Sequence, residues 1–157
     1  MKVLLREATI NDLELILAWR SIPEVYKGLY QQAKENRPLT WDEHYSFWHN
    51  RHNWRQWIIQ VNDNITTRDI GYINLGQLDN WNPEIAIVIG EVTLWGKGIG
   101  KQSLILAIDW LKEQGYEKVH TTILKNNERS IRLFESVDFK RTGEGREGEW
   151  TYEKNIG

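Results

Sequence analysis

Trp95-Gly96-Lys97-Gly98-Ile99-Gly100-Lys101 follows the apolar run Glu84 to Ile89 and opens a stretch of helical periodicity. Glycines let the main chain pass close to an anion, the first-turn N–H groups of a helix lack intrahelical partners, and the helix dipole adds positive potential at that end. The segment predicts a strand-to-helix turn able to hold a diphosphate, with Lys97 and Lys101 adding charge. Two common phosphate motifs do not fit it. A P-loop needs a glycine five residues before its Gly-Lys pair, where this chain has Glu91 and Trp95. The dinucleotide fingerprint needs G-x-G-x-x-G, whereas the chain reads G-x-G-x-G and offers no second βαβ unit with an acidic ribose ligand. A glycine turn that binds nothing is the alternative at this point.

Working outward, Val3 to Arg6 predicts a strand, and Thr9 with Asp12 caps a helix carrying Leu13, Ile16 and Leu17. Pro23 suits a second helical start. Thr40 and Glu43 have capping-box spacing, after which Trp41, Tyr45, Trp48 and His52 recur on one helical face. Arg55 to Val61 and Ile70 to Leu75 predict two antiparallel strands joined through Asn62-Asp63-Asn64, and Glu84 to Ile89 a more buried one. The polar stretch from Gln77 to Pro83 reads as a surface loop. A helix from about Gly98 to Gln114 presents Leu104, Ala107, Ile108 and Leu111 to the sheet and stops at Gly115. Lys118 to Leu124 is a strand, Asn127 to Ser136 a helix, and Phe139 to Thr142 with Trp150 to Lys154 a final pair of strands. One βαβ unit in a mostly antiparallel sheet gives a mixed α/β (α+β) fold.

With 157 residues and no linker or repeat, residues 1–157 are expected to form one domain. The net charge of −2 gives no general case for nucleic acid or an anionic membrane as partner. No stretch has the length of a membrane span or the form of a signal peptide, so a cytoplasmic protein is expected. The absence of cysteine removes disulfides, thiolate metal ligands and a cysteine nucleophile. His49 and His52 share helical spacing without an H-E-x-x-H motif or a third ligand, so no metal is expected.

In its element order and in two motifs the chain resembles the GNAT superfamily of acetyl-CoA-dependent N-acetyltransferases, over almost its whole length. The family's pyrophosphate signature, Gln/Arg-x-x-Gly-x-Gly/Ala, aligns with Trp95 to Gly100, Trp95 departing at the first position. The motif Asn-x-x-Ala-x-x-x-Tyr-x-x-x-Gly-Phe aligns with Asn127 to Phe139, with Ser130, Phe134 and Asp138 as departures. Within the family, Leu5-Arg6 before Asp12, the run Trp19 to Val25 and the aromatic helix from Trp41 to Trp48 look most similar to the branch of ribosomal-protein N-terminal and nucleotide-activated amino-sugar acetyltransferases.

The resemblance implies a central sheet of about seven strands flanked by helices and splayed where Val88 and Leu124 face one another. It implies acetyl-CoA as co-substrate, held by Val88, Ile89, Gly90, Trp95, Gly96, Lys97, Gly98, Ile99, Gly100, Lys101, Asn127, Ser130 and Phe134. It places the main-chain N–H of Val88 at the thioester oxygen, where a donor stabilises developing negative charge. Glu84 matches the position of the family's glutamate base; a solvated strand-end carboxylate is the other reading, and Glu91 is the reserve. Phe134 replaces a tyrosine that protonates the departing thiolate, leaving water, Ser130 or Tyr152 for that task.

For the acceptor, the segment Trp41 to His52 offers rings to stack on a sugar or base and imidazoles to bond hydroxyls, with His44, Trp48 and the loop residue Trp81 as candidates. A core-facing helix with polar edges explains the same periodicity. The expected reaction is acetyl transfer to a primary amine of a small molecule, an amino sugar first, by direct attack in a ternary complex. A protein N-terminus as acceptor and a non-catalytic CoA-binding sensor are the alternatives. An exposed final strand near Trp150 would give two copies a route to a homodimer.

Overall fold

The computed structural model describes residues 1–157. Strands β1 (Lys2–Glu7), β2 (Arg55–Asn62), β3 (Thr67–Gly76), β4 (Glu84–Ile89), β5 (Lys118–Leu124), β6 (Lys140–Glu144) and β7 (Glu149–Asn155) form one sheet in the order β1-β2-β3-β4-β5-β7-β6. All neighbours are antiparallel except β4 and β5. That parallel pair needs a long crossover, which α5 (Ile99–Glu113) supplies. The other helices are α1 (Leu13–Trp19), α2 (Pro23–Tyr26), α3 (Tyr30–Glu35), α4 (Trp41–Asn50) and α6 (Glu128–Ser136). The fold is the mixed, mostly antiparallel α/β sandwich that the periodicities predict. No helix is long and apolar enough to cross a membrane.

Alternation along the strands divides the core between two faces. Ile59, Ile73, Leu75 and Ile85 pack beneath α5, through Leu104, Ala107, Ile108 and Leu111, and beneath Phe134 of α6. On the opposite face Ile58, Tyr72 and Val88 meet Ile16 and Trp19 of α1 and Val25 of α2. Arg6 joins the ends of this layer. Its guanidinium donates to both oxygens of Asp12 at 3.0 and 2.8 Å and to Asp69 at 2.8 Å. Asp12 also accepts the Thr9 N–H, so the cap expected at Thr9 and Asp12 takes the form of a capping box.

Two expectations are corrected. The strand carrying Trp150 is not an edge: β7 pairs with β5 on one side and β6 on the other. The free edges are β1 and the polar, charged β6, a composition that discourages edge pairing. Secondly, the aromatic stripe of α4 does not face the core. Trp41, Tyr45 and Phe47 are 43%, 43% and 51% exposed, and His44 alone in the helix is buried. The sheet face nearby is already covered by α1 and α2, so the rings pair with one another along the surface, Tyr45 on His49 at 4.2 Å and Phe47 on Trp54 at 5.6 Å. His52 lies beyond the helix end. Helix α3 carries no signal in the sequence. It lacks a side-chain N-cap, buries only Gln32, and ends at Asn36 in the left-handed region.

Candidate active site

The glycine turn is built from its own donors and from open space. A 3₁₀ turn at Val92–Leu94 leads into Trp95, whose indole N–H donates to the carbonyl of Ile89 at 2.9 Å and folds the segment back on the end of β4. Gly96 and Gly98 have φ of 76° and 80°, and a Cβ on either would meet nothing within 4 Å. The left-handed backbone thus demands glycine, and the space in front of it is free for a ligand. Gly98 caps α5 without a side-chain bond, so the first amides of that 15-residue helix point outward unpaired. Beyond Trp95 the turn leaves the cleft wall: Lys97 is exposed, and Ile99 turns its side chain into the core.

Behind the turn the sheet opens. β4 and β5 share a single residue pair, Glu84 with His120, and then diverge, while β3 stays paired with β4 as far as Ile89. The gap is the cleft of about 540 Å³ between Ala86–Ile89 and Thr121–Leu124. Backbone parity decides which amides face it, because successive residues of a strand point their N–H groups to opposite sides. The Gly90 N–H donates to Ile70 at 2.8 Å on the β3 side, and Pro83 accepts from His120 at 2.9 Å on the β5 side. Val88 therefore pairs with Tyr72 of β3, and Ile87 and Ile89 aim their N–H groups at the gap. The Val88 N–H expected at the thioester oxygen thus faces β3, and the amides open to the gap are those one residue to either side. Gly90 is also off the cleft, under the ring of Trp19.

Helix α6 forms the second wall. Asn127 accepts the Ser130 N–H at 3.2 Å and caps the helix, and Asn127, Ser130, Leu133 and Phe134 line the cleft. Phe134 is buried edge-on against Phe139 at 5.0 Å. Tyr152, one of the substitutes considered for the missing tyrosine, is ruled out. Its hydroxyl accepts from Arg141 at 3.1 Å, donates to Glu135 at 3.2 Å, and lies off the cleft. Arg129 escaped notice in the sequence. Its guanidinium lies 3.2 Å over the ring of Trp95, lines the cleft and has no carboxylate within 4.0 Å. Although Arg129 is exposed, partial desolvation, then the like charge of Arg132, holds its pKa below the usual arginine value.

On the α1 face, Glu84 lines the cleft, with one carboxylate oxygen 3.7 Å from Nε2 of His120. Nδ1 of His120 bonds the Asn82 carbonyl at 3.0 Å, which fixes that nitrogen as the donor and leaves Nε2 facing Glu84. Glu91, the reserve base, sits 3.6 Å from Arg68 and off the cleft. None of the three acceptor candidates lines it. Trp48 lies under the guanidinium of Arg51 at 3.5 Å, and Trp81 is 71% exposed beside Lys118. His44 is a strut: its Nε2 donates to the Leu13 carbonyl at 3.0 Å, tying α4 to α1. In their place the wall holds Arg20, Tyr30, Glu43, Phe47, Tyr72, Asn74, Arg146 and Glu149. Arg37, then the Thr40 N–H, hold the Glu43 carboxyl down at about 2.

His44 gives a pH dependence. Burial, then the charge of Arg20, pull its pKa below 6.5, against the Leu13 bond, and its buried Nδ1 has no partner to receive a proton. A group whose folded pKa is depressed contributes stability that is complete above its unfolded value and is lost as the pH falls toward the folded one. The melting temperature is expected to drop between pH 7 and pH 5. His44→Gln, which keeps a donor for Leu13, should flatten that slope when both proteins are scanned across the range.

A model of the acetyltransferase (GNAT) domain matches residues 2–140. The uncharacterized protein MJ1062 of Methanocaldococcus jannaschii is 53% identical over 155 residues, which are 99% of this chain and 31% of that protein, so the chain spans about a third of its length. The crystal structure of a domain from Methanocaldococcus jannaschii DSM 2661 superposes with a TM-score of 0.94 at 53% identity over 98% of both chains. Aminoglycoside acetyltransferase AAC(6')-Ib in complex with coenzyme A superposes with a TM-score of 0.82 at 18% identity, covering 98% of this chain and 95% of that one, a likeness of fold. With the family match over most of its length, the chain belongs to the acetyltransferase (GNAT) domain family.

Proposed function

We propose that residues 1–157 form one catalytic domain that transfers the acetyl group of acetyl-CoA to a primary amine of a small molecule, an amino sugar first, by direct attack in a ternary complex. The observation that carries this reading is the opening between β4 and β5. It joins a face bearing the glycine turn and α6 to a face bearing Glu84, so donor and acceptor can meet at one point from opposite sides of the sheet. The free space at Gly96 and Gly98 and the unpaired Arg129 suit the phosphates of the donor. The donor supplies a thioester.

This chain's residues supply the rest. Glu84 removes a proton from the ammonium, directly or through water, so that the neutral amine can attack. The N–H groups of Ile87 and Ile89 stabilise negative charge developing on the carbonyl oxygen. Phe134 can donate no proton, and Ser130 holds the hydroxyl on the same wall. A thiol that ionises near pH 8.5 is a tolerable leaving group, so water or Ser130 is sufficient. The amino-sugar preference draws on the similarity of Trp19 to Val25 to that branch. It draws too on the complex of AAC(6')-Ib with ribostamycin and coenzyme A, an amine-bearing sugar held in a related fold.

Phe134 favours a second reading, a CoA-binding module without turnover. A panel of amino sugars, peptides and polyamines incubated with acetyl-CoA and assayed for free thiol separates the two. Calorimetry with CoA alone reports binding independently. Phe134→Tyr is expected to change the CoA dissociation constant by less than about twofold, since the ring keeps its edge-on contact with Phe139 and gains only a hydroxyl toward the cleft. A large loss of binding would show that the ring does not line the donor site.

A further inference from the structure

We infer that the acceptor amine carries an anionic group, a carboxylate or a phosphate, which Arg20 binds together with Tyr72 and Asn74. The inference rests on the reading of the cleft as an acyl-transfer site. It starts from charge accounting along the wall. Glu43 is paired with Arg37 through both its oxygens, at 2.8 and 2.9 Å, and also accepts the Thr40 N–H. Glu149, buried, takes two from Arg146 at 2.7 and 3.1 Å. Glu84 faces His120. No carboxylate lies within 4.0 Å of Arg20, although it is partly buried and lines the same cleft.

Arg20 is held from behind. Its Nε donates to Oε1 of Gln32 at 2.9 Å, and the Gln32 amide nitrogen donates back to the Arg20 carbonyl at 2.7 Å. Gln32 is 2% exposed, and while its amide nitrogen also reaches the Arg37 carbonyl at 3.4 Å, its oxygen orients a guanidinium whose two terminal nitrogens have no protein partner. Next to Trp19, Tyr72 stacks on the indole at 6.3 Å, and its hydroxyl on the cleft wall makes no protein hydrogen bond. The charge of Arg20 reaches that hydroxyl, opposing the effect of burial on it. Asn74, two residues along β3 on the same face, spends its oxygen on Gln56 at 2.7 Å, which leaves its amide nitrogen to the cleft. A guanidinium fork, a hydroxyl free to donate and an amide N–H₂ together offer several donors to the cleft, the complement of an oxyanion.

The cofactor's phosphates do not account for this set. Arg129 stands on Trp95 of the glycine turn, where the donor's phosphates would lie, whereas Arg20 is tied to Gln32 of α3, and Tyr72 and Asn74 lie on β3. The two unpaired arginines thus await different anions. An acceptor carrying positive charge alone would leave Arg20 desolvated beside a like charge.

Matched amines test this: glucosamine 6-phosphate against glucosamine, 4-aminobutyrate against its amide, and a nucleoside-diphosphate-linked amino sugar against the free sugar. Binding to the CoA-saturated protein is read by calorimetry and turnover by free thiol. The anionic member of at least one pair should bind about 30-fold more tightly or better. Arg20→Gln should erase that preference and raise the acceptor KM with the acetyl-CoA KM unchanged, and Arg20→Lys should restore part of it. Tyr72→Phe, which leaves the stack on Trp19 intact, should lose several-fold on the anionic member only. The pair that responds identifies carboxylate or phosphate. Equal binding within every pair, or an Arg20→Gln loss shared by both members, overturns the inference. Preference for the anion with no thiol released by any amine would instead overturn the acyl-transfer reading and leave the anion site standing.

Discussion

Glu84→Gln is expected to lower kcat by about 10²–10⁴-fold at neutral pH while leaving CoA affinity unchanged, the loss typical of a missing general base. The residue opens β4 at the one point where that strand touches β5, so its backbone is fixed although its carboxylate is 37% exposed. Glutamine keeps the shape and one acceptor but cannot take a proton. The deficit should shrink as the pH rises, because more of the amine arrives already neutral. A pH–rate profile of the two proteins checks this, and a variant that keeps more than half the rate at pH 7 would move the base elsewhere.

Gly71→Ala is expected to cost about 3 kcal/mol, the upper end for overpacking, and to lower the melting temperature by roughly 6–12 °C. A Cβ there would sit 2.2 Å from the Val88 carbonyl oxygen and 3.0 Å from the Ile89 Cα, both backbone atoms that cannot swing aside. β4 would have to move away from β3, toward the cleft, so acetyl transfer should fall even at temperatures where the variant is folded. Gly143→Ala in β6 is the control, since its Cβ meets nothing within 4 Å. Thermal and urea unfolding of both variants would expose the contrast.

Much of this architecture was legible because local signals agreed with it. The capping pairs Thr9–Asp12 and Thr40–Glu43 both form, and β4 and β5 begin and end where alternation and turn residues put them. What escaped reading depends on neighbours far along the chain. The stripe Trp41, Tyr45 and Trp48 has the spacing of a buried face, but burial is decided by whether a sheet surface is vacant, and α1 had already taken it. That the Val88 amide faces β3 and not the cleft is not legible in the sequence, because the side to which an amide points is fixed by pairing with β3. Arg20 and Arg129 look like ordinary surface cations in a sequence with 20 of them. Their meaning lies in the carboxylates that are not beside them.

Apart from the Glu84–His120 junction, the sheet consists of two ribbons, β1–β4 and β5–β7, that part along a seam. Amides of Ile87 and Ile89 along that seam are left for whatever fills it. If the acyl donor lies there, it stitches the halves together, and the fold's resistance to unfolding becomes a function of donor supply. At a hundred times its dissociation constant the gain is about 2.7 kcal/mol. A well-fed cell would thus shelter this domain from proteolysis, and a starved one would let it go.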